Sequence, residues 1–115
     1  MTARKTSDRY LPLKPATFHI LLALADGPRH GYAIRAAVEE LTAGGVRLWP
    51  VTLYGSIREL SDAGLIETAA RSAATDARRR YYELTVLGRR VLAAETARLR
   101  SLVEHAERTR AMRRA

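Results

Sequence analysis

Apolar residues along this 115-residue chain recur with a helical period in four stretches and switch to a two-residue alternation in one. From Ala16 onward, Phe18, Leu21, Leu22 and Ala25 mark a first helix, which the turn Asp26-Gly27-Pro28 ends. Ile34, Ala37, Val38 and Leu41 form a second stripe, with Arg35, Glu39 and Glu40 on its wet side and Gly44-Gly45 as its stop. Pro50 suits the first turn of a third helix, where its missing N–H costs nothing, and Leu53, Ile57 and Leu60 supply a buried stripe up to Gly64. The period then changes. Leu65–Ala70 and Arg79–Leu84 are short runs separated by the small and charged segment Ser72–Arg78, which predicts a hairpin. Within it Arg80, Tyr82 and Leu84 share one face, Tyr81 and Glu83 the other. Thr85 is placed to cap a long helix from Val86 to about Met112 that carries Leu92, Leu99, Leu102, Val103 and Ala106 on one stripe. Residues 1–15 hold Lys5, Arg9, Pro12 and Pro15 without a sustained period and read as a flexible basic arm.

The fold expected is therefore mainly α with a small β-hairpin: a winged helix-turn-helix over 16–85, preceded by the arm at 1–15 and followed by a C-terminal dimerisation helix at 86–115. In this architecture the third helix enters the DNA major groove and the hairpin, or wing, touches the backbone. A lone long helix cannot bury its leucines against so small a body, so its stripe predicts a homodimer. Two-fold symmetry would then set the recognition helices about one DNA turn, roughly 34–36 Å, apart on a near-palindromic site.

Composition narrows the classes. Apolar residues make up 47% and charged ones 28%, which suits a packed core and not a disordered chain. There is no cysteine, so disulfides, thiol catalysis and thiolate metal sites are excluded, and the chain reads as cytoplasmic. The longest unbroken apolar run, Ile20–Ala25, is far short of a membrane span. Net charge is +8 and the pI near 10.8. The charge is concentrated at the two ends and in residues 71–90, where six arginines stand against Asp76 and Glu83. A polyanion explains such a footprint. The arginine and alanine bias of a GC-rich coding sequence would give the same composition, so charge alone leaves both readings open.

Beyond the element order, particular stretches resemble the PadR-like family of transcriptional regulators. They are Gly27-Pro28-Arg29-His30-Gly31-Tyr32-Ala33-Ile34, Val51-Thr52-Leu53-Tyr54, Leu60-Ser61-Asp62-Ala63-Gly64-Leu65-Ile66, and Arg79-Arg80-Tyr81-Tyr82-Glu83-Leu84-Thr85-Val86-Leu87-Gly88. Together, in order, they cover about residues 11–92. The resemblance implies a dimeric DNA-binding regulator, usually a repressor, joined through its C-terminal helix. It also suggests release by a small hydrophobic or aromatic effector bound near the dimer axis. The chain departs from the family where Trp49 replaces the small polar residue that often precedes the helix-three proline, which leaves that cap and the role of Trp49 unassigned.

The expected double-stranded DNA contacts fall in three groups. On helix three, Val51, Thr52, Tyr54, Gly55, Ser56 and Arg58 are the candidate base and phosphate readers. Gly55 removes bulk next to the groove floor, Arg58 suits guanine or phosphate, and Val51 or Thr52 suits a thymine methyl; Glu59 beside them is unfavourable near phosphates unless it accepts from a cytosine amino group or pairs with an arginine. At the start of helix two, His30, Gly31 and Tyr32 offer free N–H groups to an anion. In the wing, Arg71, Arg78, Arg79 and Arg80 bracket the loop. Each group has a plainer structural account: a solvated helix face, a partly buried Tyr54, a His30 that only caps, and surface arginines. Catalytic motifs are missing, His19, His30 and His105 lie on three separate segments, and no metal or cofactor is expected. The rival readings are a winged-helix module for RNA or protein, and a membrane-surface helix at 86–112; the latter is disfavoured by the acidic residues along it.

Overall fold

The computed structural model describes residues 7–69 and 80–114. Helix α1 spans Pro15–Ala23, strand β1 Arg29–His30, α2 Gly31–Leu41, α3 Pro50–Asp62, β2 Ile66–Thr68, β3 Tyr81–Leu84, α4 Val86–Arg108 and α5 Arg110–Arg113. The stripes predicted from the period supply the core. Ile20 and Leu21 of α1, Ile34 and Val38 of α2, and Leu53, Ile57 and Leu60 of α3 meet Ile66, Leu84 and Val91 in one cluster. Leu24, just past the end of α1, and Leu48, just ahead of α3, lie off the stripes and are buried there too. Each such side chain contributes about 2 kcal/mol by leaving water.

Local chemistry sets the ends of the elements. Helix α3 stops in a Schellman turn: Gly64 adopts φ +78°, the Gly64 N–H donates to Ser61 O and the Leu65 N–H to Leu60 O at 3.0 Å. Helix α2 ends in the same kind of turn, but with Ala43 at φ +51° in the left-handed position, one residue before the glycine pair expected to stop it. The start of α4 is fastened to the end of α3. Thr85 Oγ1 accepts from the Gly88 N–H at 2.9 Å and donates to Gly64 O at 2.6 Å, while the Thr85 N–H donates to Leu65 O. Gly88 lies so near the Leu65 carbonyl that a Cβ would collide with it. The Leu84-Thr85-Val86-Leu87-Gly88 stretch thus welds the root of the wing to the long helix.

Three expectations are corrected. The wing is not a two-stranded hairpin alone: β3 is the centre of a three-stranded antiparallel sheet in the order β1-β3-β2, with Arg29 opposite Tyr82, His30 opposite Tyr81, and Ile66 opposite Leu84. A two-residue strand has no period to read, so only its distant partner reveals β1. The long helix ends at Arg108, where Thr109 turns extended at ψ 156° and its hydroxyl donates to Ala106 O before the short α5 begins. The arm expected over 1–15 is packed over its described part: Tyr10, Leu11 and Leu13 lie against the core and Ser7 is buried.

That packing has a chemical anchor. Glu95 of α4 is only 1% exposed, accepts the Leu13 N–H at Oε2 (2.9 Å), and pairs with Arg98 one turn on, whose Nη2 reaches Oε2 at 3.0 Å. The Arg98 hydrogen bond, aided by the Leu13 N–H, holds the Glu95 carboxyl below its ordinary value despite burial, which pushes the other way. A buried charge needs such partners.

Candidate nucleic-acid interface

Helix α3 is buried on one side only. Leu53, Ser56, Ile57 and Leu60 face the core, and the opposite side carries Val51, Gly55, Arg58 and Asp62, all exposed among the described residues. Val51 is 88% exposed. Asp62 belongs to this outer row, although the sequence reading passed over it. Ser56 is the correction: at 8% exposure it points into the core, because its position flanks Leu60 on the helical wheel, at the edge of the buried stripe. It is not available to a ligand on the outer face.

Thr52 and Glu59 lie on one flank of the row, beside the N-terminal segment. There Lys14 Nζ meets Glu59 Oε2 at 3.1 Å, so the carboxylate that would repel a phosphate has a cation next to it. On the other flank, Tyr54 packs its ring tip over Gly31 at the start of α2. A Cβ on Gly31 would lie 2.5 Å from the Tyr54 hydroxyl, so a side chain there would have to push the tyrosine ring aside. Tyr54 remains about half exposed.

His30 performs the capping expected of a structural residue: its Nδ1 accepts the Ala33 N–H at 3.2 Å. Its ring also meets Tyr81 of β3 edge-on at 5.3 Å and lies 6.4 Å from Tyr32. One corner of the molecule therefore joins three segments far apart in sequence: Gly31 touches Tyr54 of α3, and His30 touches Tyr81 at the first residue of β3. Arg80 is exposed at the start of β3. Arg71, Arg78 and Arg79 lie outside the described residues.

The residue before α3 also has a place. Trp49 stands at the N-cap with no side-chain capping bond and is 63% exposed, and the Arg35 guanidinium of α2 sits 5.7 Å from its ring centroid. Sequence reasoning placed Arg35 on a wet helix face and no further. Its partner lies 14 residues on, across a turn, where no periodicity connects the two.

The dimerisation stripe divides along α4. Leu92 packs against the domain's own core, Leu99 and Ala106 are half-buried, and Leu102 and Val103 are 54% and 56% exposed. Beside them runs an open groove of about 780 Å³, lined in part by Ser7, Leu11, Arg90, Ala94, Arg98 and Leu102. Among the described residues no helix is long and apolar enough to cross a membrane.

A trihelical head, a three-stranded wing and a fastened C-terminal helix make this a winged helix-turn-helix protein. The model of the transcriptional regulator PadR-like family matches residues 20–94, and the chain belongs to that family. Its members are regulators of transcription, which sets the enzyme class aside. The chain is 43% identical over 76 residues, or 66% of its length, to an uncharacterized 37.1 kDa protein in transposon TN4556 of Streptomyces fradiae, and spans 20% of that protein. Among solved structures it resembles a transcriptional regulator from Clostridium thermocellum (TM-score 0.69, 20% identity, covering 92% of this chain and 95% of that one). It also resembles PadR of Bacillus subtilis, solved in complex with operator DNA (TM-score 0.60, 24% identity, covering 71% and 46%). At these identities the likenesses establish the fold.

Proposed function

We propose that this chain is a sequence-specific double-stranded DNA-binding regulator that acts in the cytoplasm as a homodimeric repressor. The observation that carries the reading is the uncovered outer row of α3, Val51, Gly55, Arg58 and Asp62, set beside the corner where Gly31, Tyr54, His30 and Tyr81 meet. In a winged helix such a row is the part that enters a major groove, with Val51 and Thr52 towards thymine methyls and Arg58 towards guanine or phosphate. The PadR structure with operator DNA supports carrying that role to this family member. Tyr32, Tyr54 and Arg80 flank the row as backbone contacts, joined by Arg71, Arg78 and Arg79 of the wing. The exposed Leu102 and Val103, with Leu99 and Ala106 beside them, support α4 as the dimer contact, and a two-fold pair asks for a near-palindromic operator. A small hydrophobic or aromatic effector bound near the dimer axis would release the DNA.

The test is a gel shift with the duplex upstream of the protein's own coding region, against random duplex and single-stranded RNA. Preference for the upstream duplex supports the reading. Equal or tighter binding to RNA defeats it, since the deep, narrow groove of A-form RNA does not admit α3. In the same assay Arg58→Ala is expected to cost about 1–3 kcal/mol at one base position if it reads a base, and to weaken all duplexes equally if it holds a phosphate.

A further inference from the structure

Helices α2 and α3 share a seam with a regular order. Gly31 lies under Tyr54, and one turn further along α2 on the same face Arg35 lies against Trp49. The next residue of that row, Glu39, approaches Arg35 with an oxygen 3.7 Å from its Nε. We propose that Arg35, held on the Trp49 indole, is a DNA-backbone contact, a cation that grips one phosphate beside the reading end of α3. The inference rests on the DNA-binding reading above.

The argument is electrostatic and steric. In a helix-turn-helix the first helix of the pair crosses the sugar-phosphate backbone while the second enters the groove. Here the first helix is α2, and Arg35 is its only basic residue, set against Glu39 and Glu40 in its second half. The cationic grip on a phosphate from this helix therefore falls to Arg35, beside the neutral Tyr32 at its start. A free arginine loses much rotamer entropy when it binds, and a planar platform that already fixes its guanidinium lowers that cost. The Trp49 ring is such a platform, since its π-face attracts the cation without using any of the five N–H donors. The donors on its two terminal nitrogens can then point away from the ring, while Nε faces Glu39.

Trp49 departs from the small polar residue expected before the helix-three proline, and its side chain makes no capping bond. The large indole, well exposed, gives up a cap and supplies the surface on which Arg35 rests. Glu39 is the opposing term: its carboxylate competes for the same guanidinium and repels an arriving phosphate. Arg35 leans on the ring at a site where the carboxylate contact is loose, and a phosphate can displace it.

A phosphate contact is independent of sequence, so a labelled random duplex in dilute buffer is the probe, with affinity followed by anisotropy over a salt series. Arg35→Ala is expected to reduce the log–log salt slope by about 0.9 while its unfolding temperature stays close to wild type. Trp49→Ala should lose a similar part of the slope, the double variant should lose no more than either alone, and Glu39→Gln should tighten binding. Trp49, the single tryptophan, should change its emission when duplex is added. An Arg35→Ala protein that keeps the wild-type slope, or an indole emission unchanged at saturating duplex, overturns the proposal while DNA binding stands. A wild-type protein that binds no duplex removes the DNA-binding reading and this inference with it.

Discussion

Gly55 separates the stability of α3 from its use. It lies in the middle of a 13-residue helix on the outer row, and a Cβ built there meets nothing within 4 Å. Within the free protein Gly55→Ala should therefore gain helix propensity without any clash, about 0.5–1 kcal/mol. For a domain of this size one kcal/mol corresponds to roughly 4 °C in Tm, so circular dichroism should show a rise of about 2–4 °C. On DNA the sign reverses. If the outer row is pressed to the floor of the groove, the added methyl meets base edges, and overpacking costs about 1–3 kcal/mol, a loss of roughly 5- to 150-fold in affinity. Anisotropy titration of both proteins on one duplex measures that. A more stable protein with undiminished affinity would show that the outer row does not approach the bases, and a lowered Tm would show that the position is not an open helix face.

Gly88→Ala is expected to destabilise severely, by more than 3 kcal/mol or to the point of poor folding, because the collision is with the Leu65 backbone and not with a side chain that can move; denaturant unfolding measures it. Ala43→Gly should raise stability by about 1 kcal/mol by relieving a left-handed residue, and an unchanged denaturation midpoint would refute the strain. Glu95 has a folded-state pKa below its unfolded one, so its contribution is present at neutral pH and is lost as pH falls from the ordinary carboxylate range through that lowered value. Glu95→Gln should therefore be less stable than wild type at pH 7 and should flatten the fall of Tm on acidification. On the dimer reading proposed above, Leu102→Asp combined with Val103→Asp, at two side chains exposed in the single chain, should shift light scattering from dimer to monomer, and an unchanged molar mass would refute α4 as the contact.

The helices and their inward faces were legible because burial imposes a period: Leu53, Ile57 and Leu60 recur every three or four residues and all three are buried. Caps were legible as well, since Thr85 needs only the chain that follows it. Ser56 marks the limit of this method. A short polar residue looks like part of a wet face, yet at the edge of the Leu53–Leu60 stripe it is covered by neighbouring elements. The N-terminal segment fails for a related reason, because its order comes from a carboxylate on Glu95, 82 residues away from the Leu13 amide it holds.

From the amino-acid order alone came the three-helix, wing and long-helix succession, the core stripes, the family likeness and the rows of candidate DNA contacts, all set by local periodicity and short motifs. The tertiary structure decided what required two distant segments to meet. It placed β1 along β3, set Gly31 under Tyr54, brought Arg35 over the Trp49 ring, and sent Glu95 to hold the chain ahead of α1. Hydrophobic burial repeats along a chain and can be read from it. A hydrogen bond or ring contact across the fold depends on where two helices cross, and no neighbour in sequence records that.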